Sequence, residues 1–235
     1  MAFAHSPQIV TSGLILSLDA GNIKSYASGS TTWFDKSGNA YNGTLTNGPT
    51  FSTGSLGAIV FDGVDDLVFL PLILDTSTNF TIDVTAKCST MIQDPSPQNR
   101  QTIWSLVTDT KYGYEILDLE IWNDGLTSFN GNGTSYTAPL VLSFFPLNSN
   151  SINNYTVSKS GSTQSWYINS SLKTSVDQTY STSSQYFKLG SRGAGSTGVN
   201  QPWNGLIYSV KIYNRALSQA EITQNFNALR GRFGI

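Results

Sequence analysis

The chain has 235 residues, and only 12% of them are charged, which is about half the share found in typical globular proteins. Its formal net charge of -2 at pH 7 gives no basic surface for nucleic acid or anionic lipid. A single cysteine, Cys88, excludes an internal disulfide and a multi-cysteine zinc site. We therefore expect a neutral, polar surface and no nucleic-acid partner.

The first residues do not have the composition of a secretory signal. Residues 1–7 contain neither a basic region nor a continuous apolar stretch. Nowhere does the sequence approach the roughly 18 consecutive apolar residues that a membrane-spanning helix needs. We therefore expect no membrane partner, and synthesis in a host cytoplasm without a signal peptide.

Alternation of apolar and polar residues with a period of two dominates the chain and predicts antiparallel strands. In Asn79–Lys87 the apolar residues Phe80, Ile82, Val84 and Ala86 alternate with polar ones, which is typical of a half-buried strand. A similar alternation covers Leu206–Tyr213. The other predicted strands are Gly13–Leu18, Ala58–Phe61, Leu67–Leu70, Thr102–Val107, Tyr112–Trp122, Tyr155–Lys159, Ser165–Asn169, Leu172–Val176 and Tyr186–Leu189.

The segments between these strands are rich in Gly, Asn, Asp and Ser, as turns between many short strands require. Asp62-Gly63 lies between two apolar runs and predicts a hairpin turn. Such a series of strands predicts a sandwich or barrel. We expect one domain over residues 13–235, preceded by an N-terminal arm over residues 1–12.

One amphipathic helix is predicted near the C-terminus. Ser218 and Glu221 have the spacing of a capping box, in which each side chain bonds the backbone of the other residue. Apolar residues follow at helical spacing, namely Ile222, Phe226 and Leu229. Gly231 is suited to end the helix. The predicted helix is therefore Gln219–Arg230.

Six different sequence motifs occur along the chain in an order that resembles one protein family. They are Gly13–Asn22, Thr32–Asn39, Asn42–Leu45, Phe61–Asp66, Val210–Ser218 and Arg230–Ile235. In this order they resemble the laminin-G-like, concanavalin A-like jelly-roll modules, in the version common in structural proteins of tailed bacteriophages. The resemblance implies an all-β fold, a two-sheet antiparallel jelly-roll sandwich with one short C-terminal amphipathic helix.

The same resemblance implies a function at the surface of a virion. The expected role is a non-enzymatic structural protein, a capsid or tail decoration or assembly component, with a glycan-binding face. Its partners would be other virion proteins, in a homo-oligomer or multicopy assembly, and a host surface glycan. The alternative is a lectin-like adhesin of a tail fibre or spike, and the third hypothesis is a glycoside hydrolase.

Three carboxylates in one predicted strand bear on the hydrolase reading. Laminarinase-type glycosidases with this jelly roll use a Glu-x-Asp-x-Glu strand, which places the carboxylates on one face. Here Glu115, Asp118 and Glu120 are spaced by three and then two residues, so Glu115 points away from the others unless a bulge intervenes. The only histidine, His5, lies in the arm, which argues against a histidine-based nucleophile system. We expect no catalytic residues.

Four residues are the candidates for glycan binding. Trp203 follows the loop Gly193–Pro202, which favours an exposed ring. Trp122 lies two residues after Glu120 and on the same strand as Asp118, and stacking beside carboxylate hydrogen bonds is a common chemistry for sugars. The alternative for each tryptophan is packing in the core.

Calcium is the one cofactor that the sequence raises, because the motifs contain five aspartates. Hard cations bind several carboxylate and carbonyl oxygens supplied by loops. The candidate ligands are Asp19, Asp35, Asp62, Asp65 and Asp66. The alternative is that these aspartates form turns and bond the local backbone.

Overall fold

The computed structural model describes residues 7–54, 56–90, 100–107, 117–121, 127–128, 150–177, 184–193 and 196–235. The described part is mostly β-structure with one C-terminal helix. The strands are β1 (Leu14–Asp19), β2 (Thr32–Trp33), β3 (Gly43–Thr46), β4 (Thr50–Ser52), β5 (Ala58–Asp62), β6 (Leu67–Asp75), β7 (Phe80–Cys88), β8 (Gln101–Val107), β9 (Leu117–Ile121), β10 (Thr127–Ser128), β11 (Ile152–Ser160), β12 (Thr163–Ile168), β13 (Ser171–Asp177), β14 (Ser184–Leu189) and β15 (Asn204–Tyr213), and the helix is α1 (Gln219–Phe233).

These strands form two antiparallel sheets, which confirms the predicted fold class. The eight-stranded sheet has the order β13-β12-β11-β7-β15-β5-β4, and β1 also pairs with β15. The seven-stranded sheet has the order β10-β9-β8-β14-β6-β3-β2. In each sheet, strands consecutive in sequence pair toward the edges, whereas the central pairs join strands distant in sequence, such as β7 with β15 and β14 with β6.

The main hydrophobic core lies between the two sheets. Val84 and Ile212 enter it from the eight-stranded sheet, and Trp104 and Phe187 enter it from the seven-stranded sheet. The rings of Trp104 and Phe187 stack with centroids 5.7 Å apart. One continuous core fills the space between the sheets, so the strands of both sheets fold as a unit.

The expectation that β7 is half-buried is wrong. Its polar residues Thr81, Asp83 and Thr85 are buried, like the apolar residues between them. The physical reason is a second layer on the outer face of the eight-stranded sheet. The Thr81 hydroxyl donates to the carbonyl of Arg215 and accepts from the backbone N–H of Leu217, in the segment that leads into α1.

The Asp62-Gly63 turn is not a hairpin, which corrects the prediction. The strand before it, β5, belongs to the eight-stranded sheet, and the strand after it, β6, belongs to the seven-stranded sheet. Gly63 adopts a φ of 82°, which glycine tolerates best. The turn therefore passes the chain from one layer of the sandwich to the other.

The capping box at the start of α1 is confirmed. The Ser218 side chain accepts from the Glu221 backbone N–H, and the Glu221 carboxylate accepts from the Ser218 backbone N–H. The helix ends later than predicted, because it continues through Gly231 to Phe233, whose ring packs against Tyr208 with centroids 5.1 Å apart. In the described part of the chain, no helix is long and apolar enough to cross a membrane.

Part of the N-terminal arm packs against α1. The backbone N–H of Val10 donates to the Asn225 side chain at 2.8 Å. The Val10 carbonyl accepts from the Tyr213 hydroxyl, and Val10 itself is buried. The division of the chain at residues 12 and 13 stays a prediction, but residues of the arm contribute contacts to the folded unit.

Replacing Ser218 with alanine removes the side-chain acceptor of the capping box. We expect the free energy of unfolding to fall by about 1 kcal/mol, the usual cost of losing an N-cap. Urea denaturation followed by circular dichroism measures this loss. The matched control is Ser171→Ala on the exposed first position of β13, which should change stability by no more than about 0.5 kcal/mol. Equal effects of both substitutions would contradict the cap.

The contribution of Glu221 should depend on pH. Hydrogen bonds from Arg215, and then from the Ser218 backbone, lower the pKa of Glu221 from 4.5 to about 2. Because its pKa is lower in the folded state, the ionised Glu221 stabilises the fold at pH values above 4.5, the pKa in the unfolded chain. This stabilisation is lost as the pH falls from 4.5 through about 2. We expect the stability difference between the wild type and Glu221→Gln to shrink between these values in urea denaturation. A difference independent of pH would contradict the ion pair.

Candidate functional site

Strand β9 carries two of the predicted glycan ligands, Asp118 and Glu120. Leu117, Leu119 and Ile121 of the same strand belong to the core. Alternation along the strand therefore places both carboxylates on the opposite face of the seven-stranded sheet, as expected. Both residues are fully buried, with 0% solvent exposure. The predicted sugar ligands are therefore buried.

Two arginines neutralise these carboxylates. Arg192 Nη1 lies 2.6 Å from Glu120 Oε1 and 3.8 Å from Asp118 Oδ2. Arg100 Nη1 lies 3.2 Å from Glu120 Oε2. We call Arg100, Asp118, Glu120 and Arg192 the charged cluster. These contacts give each buried carboxylate an arginine partner, as buried charges require.

The residues around the charged cluster hold residues 191–193 and 198–201 on the sheet. The Lys188 ammonium donates to the carbonyls of Gly193 and Gly198, at 2.9 and 2.8 Å. The Ser105 hydroxyl donates to the Ser191 carbonyl, and Arg192 donates to the Gln201 side chain. These contacts cover the middle strands of the seven-stranded sheet. The described residues of this loop are therefore held on the sheet by Arg192 of the charged cluster and by Lys188 and Ser105.

The expectation that Trp203 has an exposed ring is wrong. Trp203 is 0% exposed and belongs to the core between the sheets. Its backbone N–H donates to the Gly190 carbonyl, which draws the end of the loop inward. A sugar cannot stack on a ring at this depth. Trp122 and Glu115 lie outside the described residues.

Three of the five predicted calcium ligands come together. Carboxylate oxygens of Asp62, Asp65 and Asp66 lie within 4.8 Å of one another in the turn between β5 and β6, which we call the acidic turn. Asp66 is buried and accepts from the Asp62 backbone N–H, and Asp62 accepts from the Val64 backbone N–H. Burial raises the pKa of Asp66, and the nearby charges of Asp62 and Asp65 add to this effect.

The other two aspartates lie elsewhere and have other partners. Asp19 pairs with Arg232 at 2.7 Å. Asp35 accepts from the backbone N–H groups of Ser17, Ser37 and Tyr41. Asp35 therefore bonds the backbone around it, as the alternative interpretation expected, and Asp19 accepts from the backbone N–H of Gly21 in addition to its distant pairing with Arg232. Calcium binding at the acidic turn stays a prediction.

A cleft that the sequence analysis missed lies at one end of the sandwich. It has a volume of about 510 Å³ and is lined by residues 26, 28–31, 45 and 47–51. The rings of Tyr26 and Phe51 meet in it with centroids 5.2 Å apart, and we call it the Tyr26–Phe51 cleft. The only signal in the sequence is the concentration of Ser, Thr, Gly and Asn around these aromatic residues, which turns also show.

Residues 61–223 match the family model described as the concanavalin A-like lectin/glucanases superfamily. The match covers more than half of the chain. This chain belongs to that superfamily. The membership agrees with the two-sheet fold and with the resemblance in the motifs. No curated protein sequence matches the chain.

Solved structures with the same fold include enzymes and toxins. Trypanosoma rangeli sialidase in complex with sialic acid has a TM-score of 0.68 at 15% identity, over 94% of this chain and 33% of the sialidase chain. The botulinum neurotoxin serotype D binding domain has a TM-score of 0.66 at 16% identity, over 92% of this chain and 52% of that chain. The present chain therefore spans about a third of the sialidase chain and about half of the neurotoxin binding-domain chain. At such identities the likeness shows the fold alone.

Proposed function

We propose that this chain is a non-enzymatic carbohydrate-binding domain that is carried in many copies on a virion surface. The observation that carries the non-enzymatic part of the proposal is the burial of Asp118 and Glu120 against Arg192. A glycosidase of this fold needs a carboxylic acid and a carboxylate that both reach the scissile bond. These two carboxylates face an arginine inside the protein.

The carbohydrate-binding part of the proposal is supported by the superfamily and by the surface. The chain belongs to the concanavalin A-like lectin/glucanases. Only 12% of its residues are charged, which suits contact with hydrated neutral polysaccharide. Single sites on such a surface can be weak, because display of many copies raises avidity by about 10² to 10⁴ without new contacts.

Co-sedimentation with insoluble neutral polysaccharides tests binding and hydrolysis together. Biotinylated protein, tetramerised on streptavidin, is mixed with cellulose, a β-glucan or chitin, and the supernatant is assayed for reducing sugar. We expect retention of the tetramer by at least one polysaccharide and no reducing sugar above the protein-free control. Sugar release by the wild type that disappears in Glu120→Gln would overturn the non-enzymatic proposal.

The virion part of the proposal is supported by the six ordered motifs and their resemblance to structural proteins of tailed bacteriophages. It predicts contacts with other virion proteins, in a homo-oligomer or multicopy assembly. Quantitative proteomics of purified particles tests it. Many copies per particle are expected of a decoration or assembly protein, and a few copies confined to the tail would favour the adhesin. Absence from particles would contradict both.

A further inference from the structure

The Tyr26–Phe51 cleft is an open surface cleft with an uncharged lining and the volume of a small-molecule site. Its volume of about 510 Å³ falls within the range of roughly 300–1,000 Å³ that is usual for ligand pockets. None of its lining residues carries a charge. An anionic or cationic ligand would therefore find no countercharge among them. A neutral ligand needs no countercharge, so this lining suits it better.

The walls of the cleft combine the partly exposed ring of Phe51 with polar groups. Tyr26 is 3% exposed, and its hydroxyl donates to the Ser30 carbonyl at 2.8 Å, so its ring is a fixed, buried support for Phe51 and is not itself a stacking surface. Phe51 is partly exposed and packs against that ring. The side chains of Ser28, Thr31 and Asn47 are exposed around this aromatic surface. An apolar ring face beside hydroxyl and amide groups matches the two kinds of surface that a sugar presents.

Two glycines keep the backbone of the cleft open. Gly29 and Gly48 both have positive φ, and a Cβ atom built at either would meet no atom within 4 Å. No side chain therefore shields the backbone at these two positions of the lining. Backbone N–H and C=O groups are strong hydrogen-bonding partners for sugar hydroxyls when no side chain shields them.

We propose that the Tyr26–Phe51 cleft binds one unit of a neutral saccharide. This inference rests on the proposed carbohydrate-binding function and names the site that performs it. It moves the site away from the predicted tryptophan and carboxylate residues, to loops at the end of the sandwich. It also defines the class of ligand, because the uncharged lining favours neutral sugars over sialic acid.

Nuclear magnetic resonance on ¹⁵N-labelled wild-type protein tests the site. Glucose, galactose, mannose and N-acetylglucosamine are titrated separately, and N-acetylneuraminic acid serves as the charged probe. We expect saturable shifts of the Gly29 and Gly48 amide signals with at least one neutral sugar. Gly161 and Gly234, which are equally open glycines outside the cleft, should not shift. Shifts caused by N-acetylneuraminic acid alone would overturn the neutral class.

A cleft-filling variant supplies the second readout. Ser28→Trp, at an exposed position of the cleft, should weaken the affinity at least about tenfold, which is the scale of an interface hot spot. Ser171→Trp, on exposed strand β13 outside the cleft, should leave the affinity unchanged. Unchanged melting temperatures show that both variants fold.

The outcomes separate this inference from the proposed function. Capture on polysaccharide without shifts at Gly29 and Gly48, or with full affinity in Ser28→Trp, would overturn the cleft and leave carbohydrate binding in place. Absence of both capture and shifts would overturn both. Loss of the cleft shifts in Ser28→Trp, with capture lost in parallel, would support both.

Discussion

Replacing Arg192 with methionine is expected to lower the free energy of unfolding by about 3–5 kcal/mol, the cost of breaking a buried ion pair from one side. Methionine keeps most of the apolar stem but removes the positive charge next to Glu120 and Asp118. Both carboxylates are fully buried, so water cannot replace the lost partner. Urea denaturation measures the loss, and an unchanged dependence on denaturant shows that the native fold is kept.

Arg232→Met is the matched control for this prediction. Arg232 pairs with Asp19 at 2.7 Å, but the two side chains are 26% and 29% exposed. Ion pairs that remain in contact with solvent contribute about 0–1 kcal/mol, so the same substitution should cost far less there. A loss below about 1 kcal/mol in Arg192→Met would show that the charged cluster is hydrated, contrary to its burial here.

Lys211→Met is expected to have an effect of similar size on the other sheet. Lys211 Nζ lies 3.1 Å from Asp83 Oδ1, and the two side chains are 4% and 1% exposed. Asp83 also accepts hydrogen bonds from Asn154 and Thr156 on the neighbouring strand. These bonds remain in the variant, but the charge loses its counterion, so we expect a loss of about 3–5 kcal/mol in urea denaturation.

The double variant Lys211→Met/Asp83→Asn distinguishes charge from packing. Asparagine keeps the shape of Asp83 and can still accept from Asn154, while its amide can donate to Thr156. Because the double variant buries no unpaired charge, it should be more stable than Lys211→Met alone. If the double variant is as unstable as the sum of the two single variants, the ion pair does not couple these residues.

The strands with clear alternation could be predicted from sequence because one face of each enters the core. The outer faces could not be predicted in the same way. In β7 the polar residues Thr81 and Asp83 look like solvent-facing residues, yet the segment leading into α1 covers this face of the sheet. The alternation of apolar and polar residues shows which residues are polar, but it does not show which polar residues have buried hydrogen-bonding partners.

Two local features could not be predicted from the sequence, namely a bulge in β15 and the short strands β2, β3 and β4. In β15 the pairing with β7 shifts between Ile207 and Ser209. The shift reverses the alternation within the strand: Leu206 and Tyr208 lie in a separate cluster with Phe233 of α1, whereas Val210 and Ile212, which the alternation places on the same face as them, enter the main core. A bulge of this kind leaves no mark in the composition. The short strands β2, β3 and β4 contain too few residues for a periodic pattern.

The candidate site illustrates the limit most clearly. The sequence correctly placed Asp118 and Glu120 on one face, but the partner Arg192 is 72 residues away from Glu120 along the chain. Trp203 was expected to be exposed because of the loop before it, whereas its ring fills the core. The Tyr26–Phe51 cleft depends on two turns that meet only in the folded sandwich.

A glycan array probed with streptavidin-tetramerised protein tests the central claim most directly, with Ser28→Trp and Ser171→Trp measured beside the wild type. A non-enzymatic carbohydrate-binding domain with a neutral cleft predicts signals on neutral glycans for the wild type and Ser171→Trp, and their loss in Ser28→Trp. It also predicts no preference for sialylated glycans. No signal on any glycan with the folded wild-type tetramer would contradict the account.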